Sequence, residues 1–322
     1  MSTNIPEEQN PEPKPPKPFC YKDLQTDMQA ETEMFRRIAK AGRKIRRWFR
    51  IVLFTVFGLM VYTVGCQTDR LARTIIFQPT RFPAGRWDEK LDISFEEITF
   101  TNSNGDKLLG WYFPLDKKDK AGAILYCHGN GGDISYLPEF ADLMRRKLDC
   151  SVLIFDYAGY GKSEGTPTAK GILDDGRAAR TALAKKEGIE ESGIIVYGQS
   201  LGGSVAVDLA AKDGARALIV ESSFTSLNEM GQRFFPFLPT RYLLRERLPS
   251  VEKIGEYKGP VFISHGLADE TIPFSQGQKL FEAANEPKTF YVPPKERDYH
   301  SAPLGEEHWK KLREFLNNTN GR

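Results

Sequence analysis

A serine between a strand-like run and a helix-like run constrains the fold of this chain more than any other feature. Ser200 is the middle residue of Gly-Gln-Ser-Leu-Gly at 198–202, which follows the apolar run 194–197 and precedes the helix-like run 205–212. A serine lifted out of such a turn has a strained backbone, and glycines on either side relieve the crowding. The pattern predicts a nucleophilic serine where a buried strand turns into a helix.

The same G-x-S-x-G pattern occurs a second time, at residues 161–165, with Ser163 in its centre. That copy lies in a polar loop after the strand-like run 152–155, Thr166-Pro167 follows it, and no helix begins at its serine. A nucleophile turn requires a strand before the serine and a helix after it. We therefore predict that Ser200 is the nucleophile and that Ser163 is a loop hydroxyl.

Strand-like and helix-like runs alternate from residue 69 onward. The strand-like runs are residues 95–101, 108–113, 123–127, 152–155, 194–197, 217–220, 261–264 and 289–292, and the helix-like runs are 136–147, 169–186, 204–212, 276–284 and 306–316. The first two strands are predicted to form an antiparallel pair with Asn104-Gly105 at the turn. Continuous apolar character in the middle strands indicates a mostly parallel sheet with helices on both faces, an α/β fold.

Several chemistry-bearing residues follow directly after predicted strands. They are residues 129–132, Asp156, Ser200, Asp269 and His300. In open α/β sheets, ligands bind at the carboxyl ends of the strands. The sequence therefore predicts one site at that edge.

A serine hydroxyl needs a base to take its proton and a carboxylate to orient that base. The chain has four histidines. His128 begins a glycine-rich loop and His265 ends a strand, so we expect both to anchor backbone. His308 lies in the last helix-like run, where we expect a surface or interfacial side chain. His300, in the loop after the last strand, is the predicted base.

The acid is expected between serine and base, after the preceding strand. Asp269 is placed for this role, and Glu270 is the alternative. The order Ser200, Asp269, His300 is that of α/β-hydrolases.

The N-terminal region is predicted to be a membrane anchor with a cytosolic tail. Residues 1–35 are expected to be disordered, since 2–18 are rich in Pro, Glu, Asn and Lys and nearly free of apolar residues. Residues 36–50 hold eight basic and no acidic side chains interleaved with apolar ones, which is typical of a basic amphipathic juxtamembrane segment. Residues 51–68 are uncharged and, as a helix, would span about 27 Å.

The positive cluster precedes the uncharged run, so the positive-inside rule places the tail in the cytosol and the catalytic domain, residues 69–322, on the other side of the membrane. Two alternatives remain. The run could be a buried core helix, or Val64-Gly65-Cys66 could be a lipoprotein processing box with a lipid anchor on Cys66.

The charge distribution argues against nucleic acid as a partner. The net charge is +2, and residues 1–50 carry eleven basic and seven acidic side chains, which leaves −2 for the rest of the chain. The basic excess thus lies beside the predicted membrane segment and not on the folded domain.

From Thr74 onward the chain resembles α/β-hydrolase superfamily serine hydrolases, in particular the membrane-associated α/β-hydrolase domain-containing proteins 13 and 17 and the BEM46-like proteins. The matching stretches are residues 77–81, 128–132, 156–163, 198–202 and 265–273. The resemblance implies a backbone oxyanion hole, carried onto the N–H groups of Leu201 and Asn130, and no metal or cofactor. Relatives usually have Gly-His at the base, whereas residues 297–300 here are Arg-Asp-Tyr-His.

The expected activity is hydrolysis of a carboxylic ester or thioester, with a small acyl compound or a lipid as substrate. The insertion at 222–258 is short and rich in aromatics, so we expect a small cap or none, which would line an apolar acyl pocket or pack against the sheet. A serine peptidase of the same fold and a non-catalytic binding protein are the alternative functions.

Overall fold

The structure is a computed structural model that describes residues 40, 44, 48, 51–56, 73–89, 92–116, 120–237, 240, 244, 247–294 and 304–319. The chain divides into two compact units, Met1–Val64 and Gly65–Arg322. In the first unit every described residue is helical. The predicted tail, most of the predicted anchor and His300 lie outside the described residues. Within the described ranges, no helix combines the length and the apolar character that crossing a membrane requires.

The second unit is built on an eight-stranded sheet. Its strands are β1 (Glu96–Thr101), β2 (Lys107–Phe113), β3 (Gly122–Cys127), β4 (Cys150–Phe155), β5 (Ile195–Gln199), β6 (Ala217–Glu221), β7 (Val261–Ser264) and β8 (Lys288–Tyr291). Their spatial order is β1-β2-β4-β3-β5-β6-β7-β8, with β1–β2 and β2–β4 antiparallel and every other pair parallel. The predicted opening pair and mostly parallel sheet are thus confirmed.

Helices cover both faces of the sheet. They are α1 (Pro138–Leu148), α2 (Ala169–Glu187), α3 (Leu201–Asp213), α4 (Leu227–Phe234), α5 (Ser250–Lys253), α6 (Phe274–Ala283) and α7 (Glu306–Asn317). Local sequence sets their ends where capping residues are present. For example, the Thr168 hydroxyl accepts the N–H of Gly171 at 2.8 Å at the start of α2, and Gly188 adopts φ +66° at its end.

Alternate side chains of each central strand enter two separate cores. Val196 packs on the face covered by α2, α3 and α6, and Tyr197 packs on the face covered by α1 and α7. This burial on both sides explains the continuous apolar runs that predicted parallel strands. The insertion between β6 and β7 contributes the short helices α4 and α5, which the sequence analysis did not predict.

Candidate active site

Ser200 occupies the turn between β5, which ends at Gln199, and α3, which begins at Leu201. Its backbone has φ +53° and ψ −117°, a region that residues with a Cβ rarely adopt. A non-glycine residue persists there only when its surroundings hold it in place. The turn therefore stores strain at the residue that the sequence predicts to be the nucleophile.

The glycines on either side of Ser200 are required by contacts between backbones. A Cβ on Gly198 would overlap the carbonyl group of Gly202, and a Cβ on Gly202 would overlap the carbonyl group of Cys127. The first contact is the crowding that the sequence pattern implied. The second contact is with β3, and it shows that the start of α3 lies directly against the neighbouring strand.

Hydrogen bonds from β6 and the loop after it hold the turn. The N–H of Ser200 donates to the carbonyl of Glu221 at 3.0 Å, and the Ser223 hydroxyl donates to the carbonyl of Ser200 at 2.7 Å. Both polar backbone groups of Ser200 are therefore partnered. These bonds explain how the fold maintains the unfavourable backbone angles.

The glycine-rich loop after β3 reaches Ser200. A Cβ built on Gly129 would lie 3.6 Å from the Cβ of Ser200. The Asn130 side-chain amide donates to the carbonyl of Ile76 at 3.0 Å, and the Asn130 carbonyl accepts the hydroxyl of Tyr160 at 3.0 Å. A contribution of Asn130 to an oxyanion hole would thus come from its backbone N–H, alongside that of Leu201 at the start of α3.

Asp269 lies in the loop after β7 and is buried. Its Oδ1 accepts the N–H groups of Thr271 at 3.0 Å and of Ile272 at 2.8 Å, and its Oδ2 lies 3.4 Å from His265 Nε2. The alternative acid, Glu270, is exposed. Of these two acids, only Asp269 is held in one orientation. A carboxylate that orients a histidine must itself be fixed in this way.

His128 and His265 both anchor backbone, as the sequence analysis expected. His128 Nδ1 lies 2.8 Å from the carbonyl oxygen of Gly129, and His265 Nε2 lies 2.8 Å from that of Ile272. His265 therefore fixes the same loop that carries Asp269. His300, the predicted base, lies outside the described residues.

The expectation that His308 is a surface or interfacial side chain was wrong, because the structure buries it. His308 contacts the ring of Tyr291 edge-on and places its Nε2 3.7 Å from Glu221 Oε1. Burial lowers the pKa of His308 to about 4. The sequence did hold the signal, since His308 stands four residues before the buried Leu312 on the inner face of α7.

Glu221 is a buried acid that the sequence analysis missed, because the predicted strand ended one residue before it. Its backbone carbonyl accepts the N–H of Ser200, and its Oε2 accepts the hydrogen of the Tyr197 hydroxyl at 2.6 Å. Burial raises the pKa of Glu221 to about 7, against the opposing effects of the Tyr197 hydroxyl and of His265. The backbone of the predicted nucleophile thus rests on a buried Tyr197–Glu221–His308 cluster.

Ser163, in the second G-x-S-x-G copy, is buried and fully engaged in loop contacts. Its hydroxyl donates to the carbonyl of Asp156 at 2.9 Å and accepts the N–H of Leu109 at 3.0 Å. These contacts fit the predicted role of a loop hydroxyl. A hydroxyl used in this way is not presented to a substrate.

The insertion after β6 reaches the loop that carries Asp269. In α4, the Arg233 guanidinium donates to the carbonyl of Glu270 at 3.4 Å. Phe234, Phe235 and Phe237 follow, and they are 56%, 41% and 98% exposed. The end of α4 and the residues after it therefore expose apolar surface.

A separate groove of about 840 Å³ lies between β1 and α2, with Phe100, Asn102 and Arg177 among its lining residues. None of the predicted site residues lines it. Among the side chains that the structure describes, no group of three or more His, Cys, Asp or Glu could hold a metal ion.

Comparison with known proteins gives consistent matches. The sequence profile described as "Alpha/beta hydrolase family" matches residues 124–314. An uncharacterized protein of Mycobacterium tuberculosis is 37% identical over 76% of this chain and 84% of its own length. The Arabidopsis thaliana alpha/beta hydrolase domain-containing protein WAV2 is 32% identical over 70% of this chain and 80% of its own.

The human alpha/beta hydrolase domain-containing protein 17B is 38% identical over 51% of this chain and 56% of its own. Among solved structures, an esterase from Pyrococcus furiosus matches with a TM-score of 0.62 and 19% identity, over 76% of this chain and 98% of that one. At this identity the structural match is evidence for the fold alone.

Proposed function

We propose that this chain, which belongs to the alpha/beta hydrolase family, is a serine hydrolase that cleaves carboxylic ester or thioester bonds. Family membership confirms the resemblance found in the sequence. The observation that carries the proposal is the strained backbone of Ser200, held between β5 and α3 beside the glycine-rich loop. Strain that several contacts maintain at one turn is typical of functional sites.

In the proposed reaction, the Ser200 hydroxyl attacks the acyl carbon while His300 takes its proton. Asp269 orients His300 and stabilises the imidazolium that forms. The N–H groups of Leu201 and Asn130 stabilise the oxyanion, and His300 then protonates the leaving alcohol or thiol. Water activated by the same histidine releases the acid from the acyl-enzyme.

The proposed substrate carries an apolar acyl chain. The support is a set of exposed phenylalanines, Phe234, Phe235 and Phe237, which follow Arg233 in the chain, and Arg233 contacts the loop that carries Asp269. Exposed aromatic surface grouped beside a polar site is a usual feature of sites that bind apolar ligands. The short insertion suits a small ester or thioester better than a folded polypeptide.

A substrate panel tests the proposal. We would compare p-nitrophenyl esters of two to sixteen carbons, matched acyl thioesters and peptide amides, each with the Ser200→Ala variant as control. Ester or thioester turnover that requires Ser200 and increases with chain length supports the proposal. Preferential cleavage of peptides would instead identify a peptidase, and absence of Ser200-dependent turnover on any of them would favour a binding protein.

We further propose that residues 51–68 anchor the protein as a single membrane span with a cytosolic N-terminus. The support is the uncharged run behind eight basic residues. The full chain should then stay in membranes after carbonate and high-salt washes, because burial of apolar residues is not screened by salt. A mature chain that begins at a lipid-modified Cys66 in an intact mass measurement would establish the lipoprotein alternative.

A further inference from the structure

The exposed apolar side chains of the second unit are concentrated at the edge of the sheet that carries Ser200. Among the described residues of this unit, every large apolar side chain that is exposed, apart from Ile189, belongs to a segment at that edge. Single exposed apolar residues are ordinary in a folded protein. A distribution confined to one side marks a surface that meets another apolar phase or partner.

A first group of these side chains surrounds the loops after β3 and β4. The N–H of Thr80 donates to the carbonyl of Gly132 at 3.2 Å, and the N–H of Phe82 donates to that of Gly161 at 3.0 Å. Residues 75–82 therefore run across both loops. The exposed members of this group are Ile75, Phe82 and Tyr136, the last of which lies in the loop after β3 itself.

A second group lies at the ends of β7 and α4. Leu267 is exposed in the loop after β7, which also carries Asp269. The Arg233 guanidinium donates to the carbonyl of Glu270 in the same loop at 3.4 Å, so α4 ends at this edge as well. The exposed residues at the end of α4 and after it are Phe234, Phe235 and Phe237.

Val292, which directly follows β8, completes the set. Strands β3 to β8 are all parallel, so the loops after them leave from one edge of the sheet. The exception, Ile189, lies between α2 and β5 at the opposite edge. We call the exposed side chains at the Ser200 edge the rim: Ile75, Phe82, Tyr136, Phe234, Phe235, Phe237, Leu267 and Val292.

The chain enters the second unit at the rim. Ile75 stands seven residues after Thr68, the last residue of the proposed membrane span. Seven fully extended residues reach at most about 25 Å, and the nine that follow Cys66 in the lipid-anchor alternative reach at most about 32 Å. With either anchor, the bilayer is therefore held within this distance of the rim.

The charged residues beside the rim have both signs. Arg81 and Arg233 directly precede rim residues, Glu139 and Glu270 each follow one by three positions, and all four are exposed. Attraction to anionic headgroups is therefore not what the rim offers. Its phenylalanines, tyrosine and aliphatic side chains are of the kind that insert at the boundary between lipid headgroups and acyl chains.

We propose that the rim inserts into the surface of the bilayer, so that the site edge faces the membrane and takes its acyl substrate from it. The inference rests on the proposed function, since it gives the anchored hydrolase an orientation and a membrane-dissolved ester or thioester as substrate. Because the contact is apolar, it should be equally strong in phosphatidylcholine and in phosphatidylserine vesicles and insensitive to salt.

Fluorescence quenching by brominated lipids tests the orientation in the full-length protein reconstituted into phosphatidylcholine vesicles. Phe237→Trp and Tyr136→Trp place an indole in each group of the rim, and Ile189→Trp is the control at the opposite edge. The emission of wild type is subtracted. Brominated acyl chains should quench about half of the emission added at 237 and 136, since interfacial side chains reach the depth of these chains, and none of that added at 189.

Activity measurements test the supply of substrate from the membrane. The double variant Ile75→Ser/Phe82→Ser changes rim side chains that have no part in the proposed reaction. It should lower kcat/KM for a long-chain ester dissolved in the vesicles by about tenfold, as expected for lost apolar burial, and leave hydrolysis of a water-soluble acetate ester in detergent within about twofold. Ile189→Ser should change neither rate.

In an active protein that membranes retain, equal quenching at 237, 136 and 189 would overturn only this inference. Equal losses on the two esters would do the same, as would a dimer in detergent that the double variant dissociates, which would assign the rim to a second copy of the chain. A wild type that carbonate removes from membranes would overturn the proposed anchor and this inference with it. A wild type without Ser200-dependent hydrolysis would overturn the proposed activity, whereas quenching, which needs no activity, would still decide the orientation of the rim.

Discussion

The two copies of G-x-S-x-G in this chain have the same pattern and opposite environments. Ser200 lies between a strand and a helix with φ +53°, beside the glycine-rich loop. Ser163 lies in a loop, and both hydrogen bonds of its hydroxyl go to backbone groups. A five-residue pattern therefore says little about reactivity until the elements around it are known.

The glycines of the two copies are also required for different reasons. In the Ser163 copy, Gly161 and Gly165 have φ of +47° and +85°, which only glycine adopts readily. In the Ser200 copy, Gly198 and Gly202 lie against backbone carbonyl groups, and the residue with positive φ is the serine itself. The comparison shows that the positive φ falls on the predicted nucleophile in one copy and on glycines in the other.

The largest expected effect separates the two serines directly. Ser200→Ala should lower kcat by about 10⁴- to 10⁶-fold and abolish labelling by a fluorophosphonate probe. Ser163→Ala should keep the labelling and instead lower the free energy of unfolding by about 1–3 kcal/mol, since it leaves buried backbone groups without partners. Labelling that persists in Ser200→Ala and disappears in Ser163→Ala would reverse the assignment.

The next largest effect tests whether Asp269 is the carboxylate that acts together with Ser200, as proposed. Asp269→Asn should lower kcat by about 10⁴-fold, because the base loses the group that sets its tautomer. Glu270→Gln is the matched control on the neighbouring, exposed residue and should leave kcat within about twofold. Steady-state kinetics on one ester suffice, and the opposite pattern would make Glu270 the acid.

Alanine substitutions sharpen the contrast between the glycines. Gly198→Ala and Gly202→Ala should each destabilise by about 3 kcal/mol or more, since the added methyl overlaps backbone that cannot move aside. Gly165→Ala should cost about 1–2 kcal/mol for its left-handed conformation, and the added methyl group must also displace the Asp106 carboxylate, which lies 2.7 Å from it.

Gly193→Ala is the control for these three variants. There the nearest atom would lie at an ordinary contact distance of 3.8 Å. Urea unfolding measures all four proteins. A loss at Gly198 no larger than that at Gly193 would contradict the backbone overlap.

The last effect appears only at acid pH and concerns the buried histidine beneath the Ser200 turn. The pKa of His308 is about 4 in the folded state against an ordinary 6.5, so the unfolded chain binds its proton first as the pH falls. The stability that depends on neutral His308 is complete above pH 6.5 and is lost progressively toward pH 4, by about 3 kcal/mol. His308→Gln should remove this part of the pH dependence.

Urea unfolding of wild type and His308→Gln between pH 7 and 4.5 measures the difference. His128, whose pKa is also lowered, and Glu221, whose pKa is raised and whose contribution has the opposite sign, are present in both proteins. The effect of His128 cancels in the difference, whereas Glu221 lies 3.7 Å from His308, so the comparison is repeated in a Glu221→Gln background. Identical pH slopes would show that His308 is not buried as a neutral ring.

Regular structure was largely readable from the sequence. All eight predicted strands form, with ends within two residues of the prediction. The central strands were readable because burial on two faces leaves continuous apolar runs. The start of α3 was placed at Ser204 instead of Leu201, since the glycines before it have low helix propensity. Helix α4 was missed because only Leu227 and Met230 of its residues are buried.

The polar networks could not be predicted from the sequence. Glu221, Tyr197 and His308 lie on β6, β5 and α7, and only the packing of that helix on the sheet brings them together. The hydrogen bond from the N–H of Ile134 to Asp156 likewise depends on strand order. Sequence patterns report each element's own periodicity, whereas these contacts join elements that are distant in the chain.

The positive φ of Ser200 also limits which nucleophiles evolution can install at this turn. A cysteine adds no second substituent to Cβ, so the backbone could accept it and the lineage could exchange an alcohol for a thiol in one step. Threonine carries a branched Cβ, for which such a φ is a severe outlier. The turn is thus compatible with a cysteine thiol as nucleophile and incompatible with the secondary alcohol of threonine.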